Sequence, residues 1–228
     1  MSYSDPELAQ SRQHAKVLTP KDSATLVLVR RDGAAPRILM GQRGAGHAFM
    51  PNKYVFPGGR LDPSDCRVKP AQDVDPATLG KLTTRMRGRP STARARGIAF
   101  AAVRETFEEA GLLYGRGSLE EAPDLSGLVL FMRAITPPGR TRRFDSRFFV
   151  ADAAHVSNLD QPHNTGSDEL LTLRWFTLDE IRALELPSIT QTALDRLSPF
   201  LASNTLPPPT SPVSFQYWRR NRWVEDEI

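Results

Sequence analysis

The chain has 228 residues, 39% of them hydrophobic and 25% charged, with 30 lysines and arginines against 26 aspartates and glutamates for a formal charge of +4. This composition fits a globular protein with one well-buried domain, and a single cysteine, Cys66, excludes a disulfide framework or a cysteine zinc site within one chain. No apolar run approaches the roughly 20 residues of a membrane span.

Residues 1–21 read as a polar lead-in. They lack the apolar core of a secretion signal, and the chain closes on Glu225-Asp226-Glu227-Ile228 rather than a Ser-Lys-Leu address; a cytoplasmic protein is the expectation. The main domain is expected over 22–203. Ala24 to Val29 reads as a buried strand, Arg31-Asp32-Gly33 as a turn, and Arg37 to Met40 as the partner strand. The loop that follows carries Arg43, which could meet a substrate, and His47, for which a plain surface role is preferred. Val55-Phe56-Pro57-Gly58-Gly59-Arg60 reads as a short strand and a Gly-Gly turn that lets backbone approach something closely. A short helix is expected from Asp75 to about Met86, broken at Pro90.

A longer helix is predicted from about Ala93 to Leu112, closed by Gly111 as a C-cap glycine. At about 100° per residue, Glu105, Glu108 and Glu109 share one side of a turn, while Val103, Phe107 and Ala110 face the core. That clustering is locally unfavourable: like charges repel at i and i+4, and acids sit at the wrong end of the helix dipole. Oxygen-only clusters of this kind suit Mg²⁺ or Mn²⁺. On the acids alone, a solvated helix face in which Arg104 offsets Glu108 is an equal reading.

Strands follow at Leu128 to Ile135, Phe144 to Val150 and Glu169 to Phe176. Thr177 to Glu180 forms a capping box that opens a helix, and Pro187 to Ala202 gives another, with Ser188 and Gln191 in capping positions. Pro207-Pro208-Pro209 marks a break, after which 204–228 is an aromatic and basic tail that packs back on the domain or on a second subunit, leaving a homodimer open. Arginines gather at 85–96, at 140–147 and at 219–222. The planar guanidinium matches phosphate oxygens; the competing reading is a solvated basic surface. Nucleic acid is not favoured, since no zinc-finger or RNP-like pattern occurs.

Taken together, Phe56-Pro57-Gly58-Gly59 and Arg104-Glu105-Thr106-Phe107-Glu108-Glu109-Ala110-Gly111-Leu112 resemble the Nudix hydrolase box, glycine-x5-Glu-x7-Arg-Glu-U-x-Glu-Glu-x-Gly-U, where U is a bulky aliphatic residue. Three departures stand out. The spacing between Gly59 and Arg104 is about 31 residues too long, which places an insertion at about 62–92. Counting back from Arg104, the first box glutamate falls on Arg96. Thr106 replaces an aliphatic residue, although its methyl can still pack. With Phe49-Met50-Pro51 and Arg143-Phe144-Asp145-Ser146-Arg147-Phe148-Phe149, the chain is similar to the Nudix branch of coenzyme A diphosphatases whose box is interrupted.

This resemblance implies an α/β fold, the Nudix α/β/α sandwich with a mixed central sheet and a signature loop-helix interrupted by the insertion. It implies a diphosphatase that uses Mg²⁺ or Mn²⁺ held by Glu105, Glu108 and Glu109, with Arg104 orienting the glutamates. Glu169 is the expected general base, ahead of Asp168, and Arg43, Gly58, Gly59 and Arg147 are expected to meet the substrate. That substrate is a small nucleoside diphosphate derivative, coenzyme A or acyl-coenzyme A by branch. Rival readings are another dinucleotide, ADP-ribose or a nucleotide sugar, or a Nudix module that binds without catalysis.

Overall fold

The structure is a computed structural model that describes residues 18–44, 52–116, 118–119, 121–159 and 170–228. In chain order it contains β1 (Lys21–Arg30), β2 (Arg37–Arg43), β3 (Tyr54–Val55), β4 (Gly58–Arg60), a 3-10 turn (Asp65–Arg67), α1 (Pro76–Thr83), α2 (Thr92–Ala110), β5 (Val129–Ile135), β6 (Phe144–Asp152), β7 (Leu170–Thr177), α3 (Leu178–Arg182), α4 (Ser188–Ala202), β8 (Ser214–Arg219) and β9 (Arg222–Glu227).

One mixed sheet runs β3-β2-β1-β6-β5-β8-β9, with β7 on the other edge of β2. The β1–β6 and β5–β8 pairs are parallel and the others antiparallel. β1 and β2 touch only where Val29 and Arg30 meet Ile38 and Arg37. Beyond that point they splay, and the segment 54–60 fills the wedge, β3 pairing with β2 at Gly41 and Gln42 and β4 pairing with β1 at Ser23 to Thr25. The Pro57 carbonyl accepts from the Leu26 amide at 3.0 Å, so even the break between β3 and β4 stays satisfied.

The period-2 alternation of β1 and β6 separates two cores. Ala24, Leu26, Leu28, Phe149 and Ala151 pack against α1 and α2, whereas Val27, Val29, Phe148 and Val150 pack against α4. The result is a three-layer α/β/α sandwich. α2 begins at Ser91, whose side chain accepts from the Arg94 amide, and ends at Gly111 with φ 66° and its amide bonded to Phe107 O. The αL conformation there is the reason for glycine. Thr106 is fully buried and its hydroxyl donates to Ala102 O at 2.7 Å, so the departure from an aliphatic residue leaves no orphan donor.

Three local expectations need correction. Phe107 does not enter the core: it is 43% exposed, because the buried stripe of α2 runs through Ala102, Val103, Thr106 and Ala110. Ser188 and Gln191 do not cap α4, whose N-cap is Pro187 with no side-chain bond. The segment after Pro209, for which no strands were expected, is sheet: β8 runs parallel to β5 and the β8–β9 hairpin lengthens the sheet. The Thr177–Glu180 capping box is present in both directions.

Candidate active site

A cleft of about 860 Å³ opens on the α4 side of the sheet. Its floor is made by β1 and β6, and its walls by β4, the last turn of α2 and the start of α4. Glu105, Glu108 and Glu109 line it together with Arg43, Gly58, Gly59 and Arg104, so residues up to 66 positions apart in sequence converge there.

Two glycines set the approach of β4 to α2. A Cβ on Gly59 would lie 2.2 Å from the Glu105 carboxyl carbon, and one on Gly58 would lie 2.4 Å from Ala24 O. No other residue allows this packing. The closeness lets the Gly58 amide donate to Glu109 Oε2 at 2.9 Å. Glu109 is 5% exposed, and a carboxylate so buried requires such donors.

Arg104 is the hub of the acids. Its Nη2 reaches Glu105 Oε1 at 3.0 Å, and Nη1 reaches Glu108 Oε2 at 2.8 Å. Nη2 also donates to Arg60 O at 3.0 Å. The remaining contacts are to Asp65, with Nε–Oδ1 at 3.1 Å and Nη2–Oδ2 at 3.2 Å. Burial disfavours charge on Arg104, but hydrogen bonding to Asp65 and the charge of Glu105 outweigh it and hold its pKa above the usual arginine range.

Asp65 was missed by counting backwards from Arg104. The box places its first acid six positions after the glycine, and counting forwards from Gly59 reaches Asp65. Arg96 takes no part: it bonds Asp73 through Nε at 2.7 Å, away from the glutamates. The extra residues therefore follow the first acid and separate it from its arginine. Asp65 is buried and accepts from the Asp62 amide at 2.8 Å, and its turn lies directly on α2 where Gly97 leaves room.

Arg147 is not placed to meet a substrate. Its odd position on β6 turns it to the α2 side of the sheet, opposite the cleft, where it is 1% exposed and paired with Asp22 and Asp145. It forms the centre of a buried ladder that runs Arg133, Asp145, Arg147, Asp22, Arg94 and ties β5, β6, β1 and α2 together. Arg133 also donates to the carbonyls of Thr84 and Arg85 at the end of α1. Burial alone would raise the Asp22 pKa, but Arg147 and Arg94 together pull it below its ordinary value. Glu169, Asp168 and His47 lie outside the described residues. Leu170, which follows Glu169, is paired with Arg43.

The three glutamates offer only oxygen donors, the chemistry of a hard divalent cation. Among the described residues no trio of His, Cys, Asp or Glu is gathered as a finished ion site, because Glu105 and Glu108 turn to Arg104 and Glu109 turns to the Gly58 amide. The set fits by donor type and position, and a cation would draw the carboxylates together by side-chain rotation.

No protein-family model matches the chain, and no curated protein matches it. Solved structures do. A NUDIX hydrolase from Alicyclobacillus acidocaldarius aligns with a TM-score of 0.58 at 24% identity over 83% of this chain and 99% of that one. The NUDIX domain of Shewanella oneidensis NrtR, solved in complex with ADP ribose, aligns with a TM-score of 0.50 at 10% identity over 86% and 92%. With its splayed β1–β2 pair, its acid-bearing helix and these structural likenesses, the chain has the Nudix fold.

Proposed function

We propose that this protein is a divalent-metal-dependent hydrolase of the diphosphate linkage in nucleoside diphosphate derivatives, with coenzyme A or acyl-coenzyme A as substrate and 3′,5′-ADP and (acyl-)phosphopantetheine as products. One observation carries the reading: Glu105, Glu108 and Glu109 project from the last turn of α2 into a cleft that also holds the Gly58–Arg60 backbone and several cations. A diphosphate resists hydrolysis because its oxygens repel hydroxide, so a site that cleaves it needs positive charge at the phosphates and an activated water.

Mg²⁺ or Mn²⁺ held by Glu105 and Glu109, with Glu108, would supply that charge and lower the pKa of a bound water. Arg104 fixes the direction of the acids, and Asp65 fixes Arg104. Gly59 keeps backbone against Glu105. Arg43, on the cleft wall, is assigned to the substrate phosphates. Glu169 is assigned as general base, on the strength of its neighbour Leu170 being paired with Arg43. An acid does stand six positions after Gly59: Asp65, paired with Arg104, supports catalysis over a module that only binds.

The test is a hydrolysis panel of coenzyme A, ADP-ribose, NADH and a nucleotide sugar with Mg²⁺ and with Mn²⁺. Coenzyme A should show the highest kcat/KM. Equal rates across the panel would end the coenzyme A assignment, and no turnover of any member would end the hydrolase reading.

A further inference from the structure

We propose that the end of the cleft beyond the glutamates is an anion subsite, in which Lys21, Arg60 and Arg142 hold a phosphate monoester that is separate from the diphosphate to be cleaved. The inference rests on the proposed function and names the feature that selects among its substrates.

Strand register places the three cations. Ser23 is the partner of both Arg60 on β4 and Ser146 on β6, so these residues form one row across the cleft floor. The next outward row pairs Lys21 with Phe144, and Arg142 lies two residues before Phe144, in the bend that leads into β6 and on the cleft lining. All three cations line the cleft. The glutamates lie by contrast beside Gly58 and Gly59, whose partners are Thr25 and Ala24. At roughly 3.3 Å per residue, the Lys21 row is on the order of 10 Å from the glutamates and the Arg60 row about half that. The longer span is the reach of one nucleoside unit rather than of a single diphosphate.

The other basic groups nearby are committed. Arg94, Arg133 and Arg147 belong to the buried ladder. Arg104 holds the acids, and Arg143 donates to Thr136 O and Leu18 O. Lys21, Arg60 and Arg142 have no ion pair or side-chain hydrogen bond among the described residues, and all three are exposed. Asp62 also lines the cleft, two residues after Arg60, and the glutamates lie towards its other end; none of these acids is ion-paired with the three cations among the described residues, and three like charges on one stretch of floor repel one another and favour an anion between them.

Two further features add to this. Ser23 Oγ and Ser146 Oγ share one hydrogen bond at 2.8 Å, so one of the two hydroxyl protons remains for an acceptor above the floor. Beneath the floor, the ladder sets three arginines against two aspartates, a net positive charge behind the same strands. A phosphate monoester, with up to two negative charges, suits this environment better than a neutral hydroxyl.

Calorimetric binding of adenosine 3′,5′-bisphosphate and of 5′-AMP to the full chain, without added metal, reads the subsite independently of hydrolysis. The bisphosphate is expected to bind about tenfold or more tighter. In the double variant Lys21→Gln, Arg142→Gln the ratio should fall towards one, while Lys21→Arg, which keeps the charge, should retain most of it. Thermal melting of each variant shows whether it is folded. A wild-type ratio near one, no measurable binding of the bisphosphate, or an unchanged ratio in the folded double variant would overturn the subsite. If the hydrolysis panel shows no turnover but the ratio stands and is charge-dependent, the enzyme reading fails and the subsite survives.

Discussion

Asp65 and Arg104 are 39 positions apart in sequence and meet in a two-point ion pair, with the carboxylate 2% exposed. Through Arg104 the pair reaches Glu105 and Glu108, so a residue in a remote turn sets the direction of the acids in the cleft. Asp65→Ala would leave a largely buried guanidinium short of its partner, at a cost of about 2–4 kcal/mol. It should also lower kcat by about tenfold or more. Asp65→Glu, which restores the charge one methylene further out, should recover part of both. Denaturant unfolding and steady-state kinetics on the two variants check this.

The two cleft glycines should respond differently to alanine. At Gly59 the new methyl meets the movable end of Glu105, so Gly59→Ala should fold with a melting temperature close to wild type and lose activity by about 100-fold, a barrier increase of roughly 2.7 kcal/mol. At Gly58 the clash is with the backbone of Ala24 and Thr25, so Gly58→Ala should lower stability as well. Calorimetric melting beside turnover separates the two.

Arg147 is predicted to be structural. Arg147→Ala empties the centre of the ladder, leaving Asp22 to Arg94 and Asp145 to Arg133, and the lost packing and shared ion pairs should cost about 2–4 kcal/mol, with KM unchanged in whatever protein remains folded. Arg147→Met, which fills the space without charge and leaves two arginines paired with two aspartates, should recover much of the loss, whereas adding Asp22→Asn and Asp145→Asn would strip Arg94 and Arg133 of their partners and lower stability again. Urea unfolding of these variants gives the answer.

Stability should fall in acid through Asp22. Burial pushes its carboxyl up, but Arg147 and Arg94 hold it below the ordinary 3.8, so the folded state binds its proton later than the unfolded chain does. That contribution is fully present above pH 3.8 and is lost as pH drops through the lowered value. Unfolding free energies at pH 6 and in steps below pH 4 should show the decline, and Asp22→Asn should be less stable at pH 6 with a flatter acid limb.

Much of this was legible in the chain. The buried strands β1, β5 and β6 carry their hydrophobic runs, α2 carries Gly111 at its C-terminal end, and the spacing of Glu105, Glu108 and Glu109 fixes one helical face whatever surrounds it. Arg147 was misread because an arginine in an arginine-rich stretch carries no mark of which sheet face it takes; the register of β6 against β1 decides that, and one residue either way reverses it. Asp65 was missed because the long separation hides its pairing with Arg104, although its distance from Gly59 was intact. Phe107 lies at the margin of the stripe that includes Val103 and Ala110, and the packing of α2 on the sheet rather than its own periodicity leaves it outside. The β8–β9 hairpin lacks a glycine at its turn, where Arg220 and Asn221 adopt φ of 50° and 60°, so the usual hairpin signal was absent.

The central claim is that the glutamates of α2 hold a divalent ion beside a diphosphate. Titration of Mn²⁺ into the protein, followed by loss of the free-ion electron paramagnetic resonance signal with and without adenosine 5′-diphosphate, tests it most directly. Wild type should bind Mn²⁺ more tightly when the diphosphate is present, and folded Glu105→Gln and Glu109→Gln should bind it at least tenfold more weakly. Unbound Mn²⁺ in the wild type at every diphosphate concentration, or equal binding by the glutamine variants, would contradict the claim.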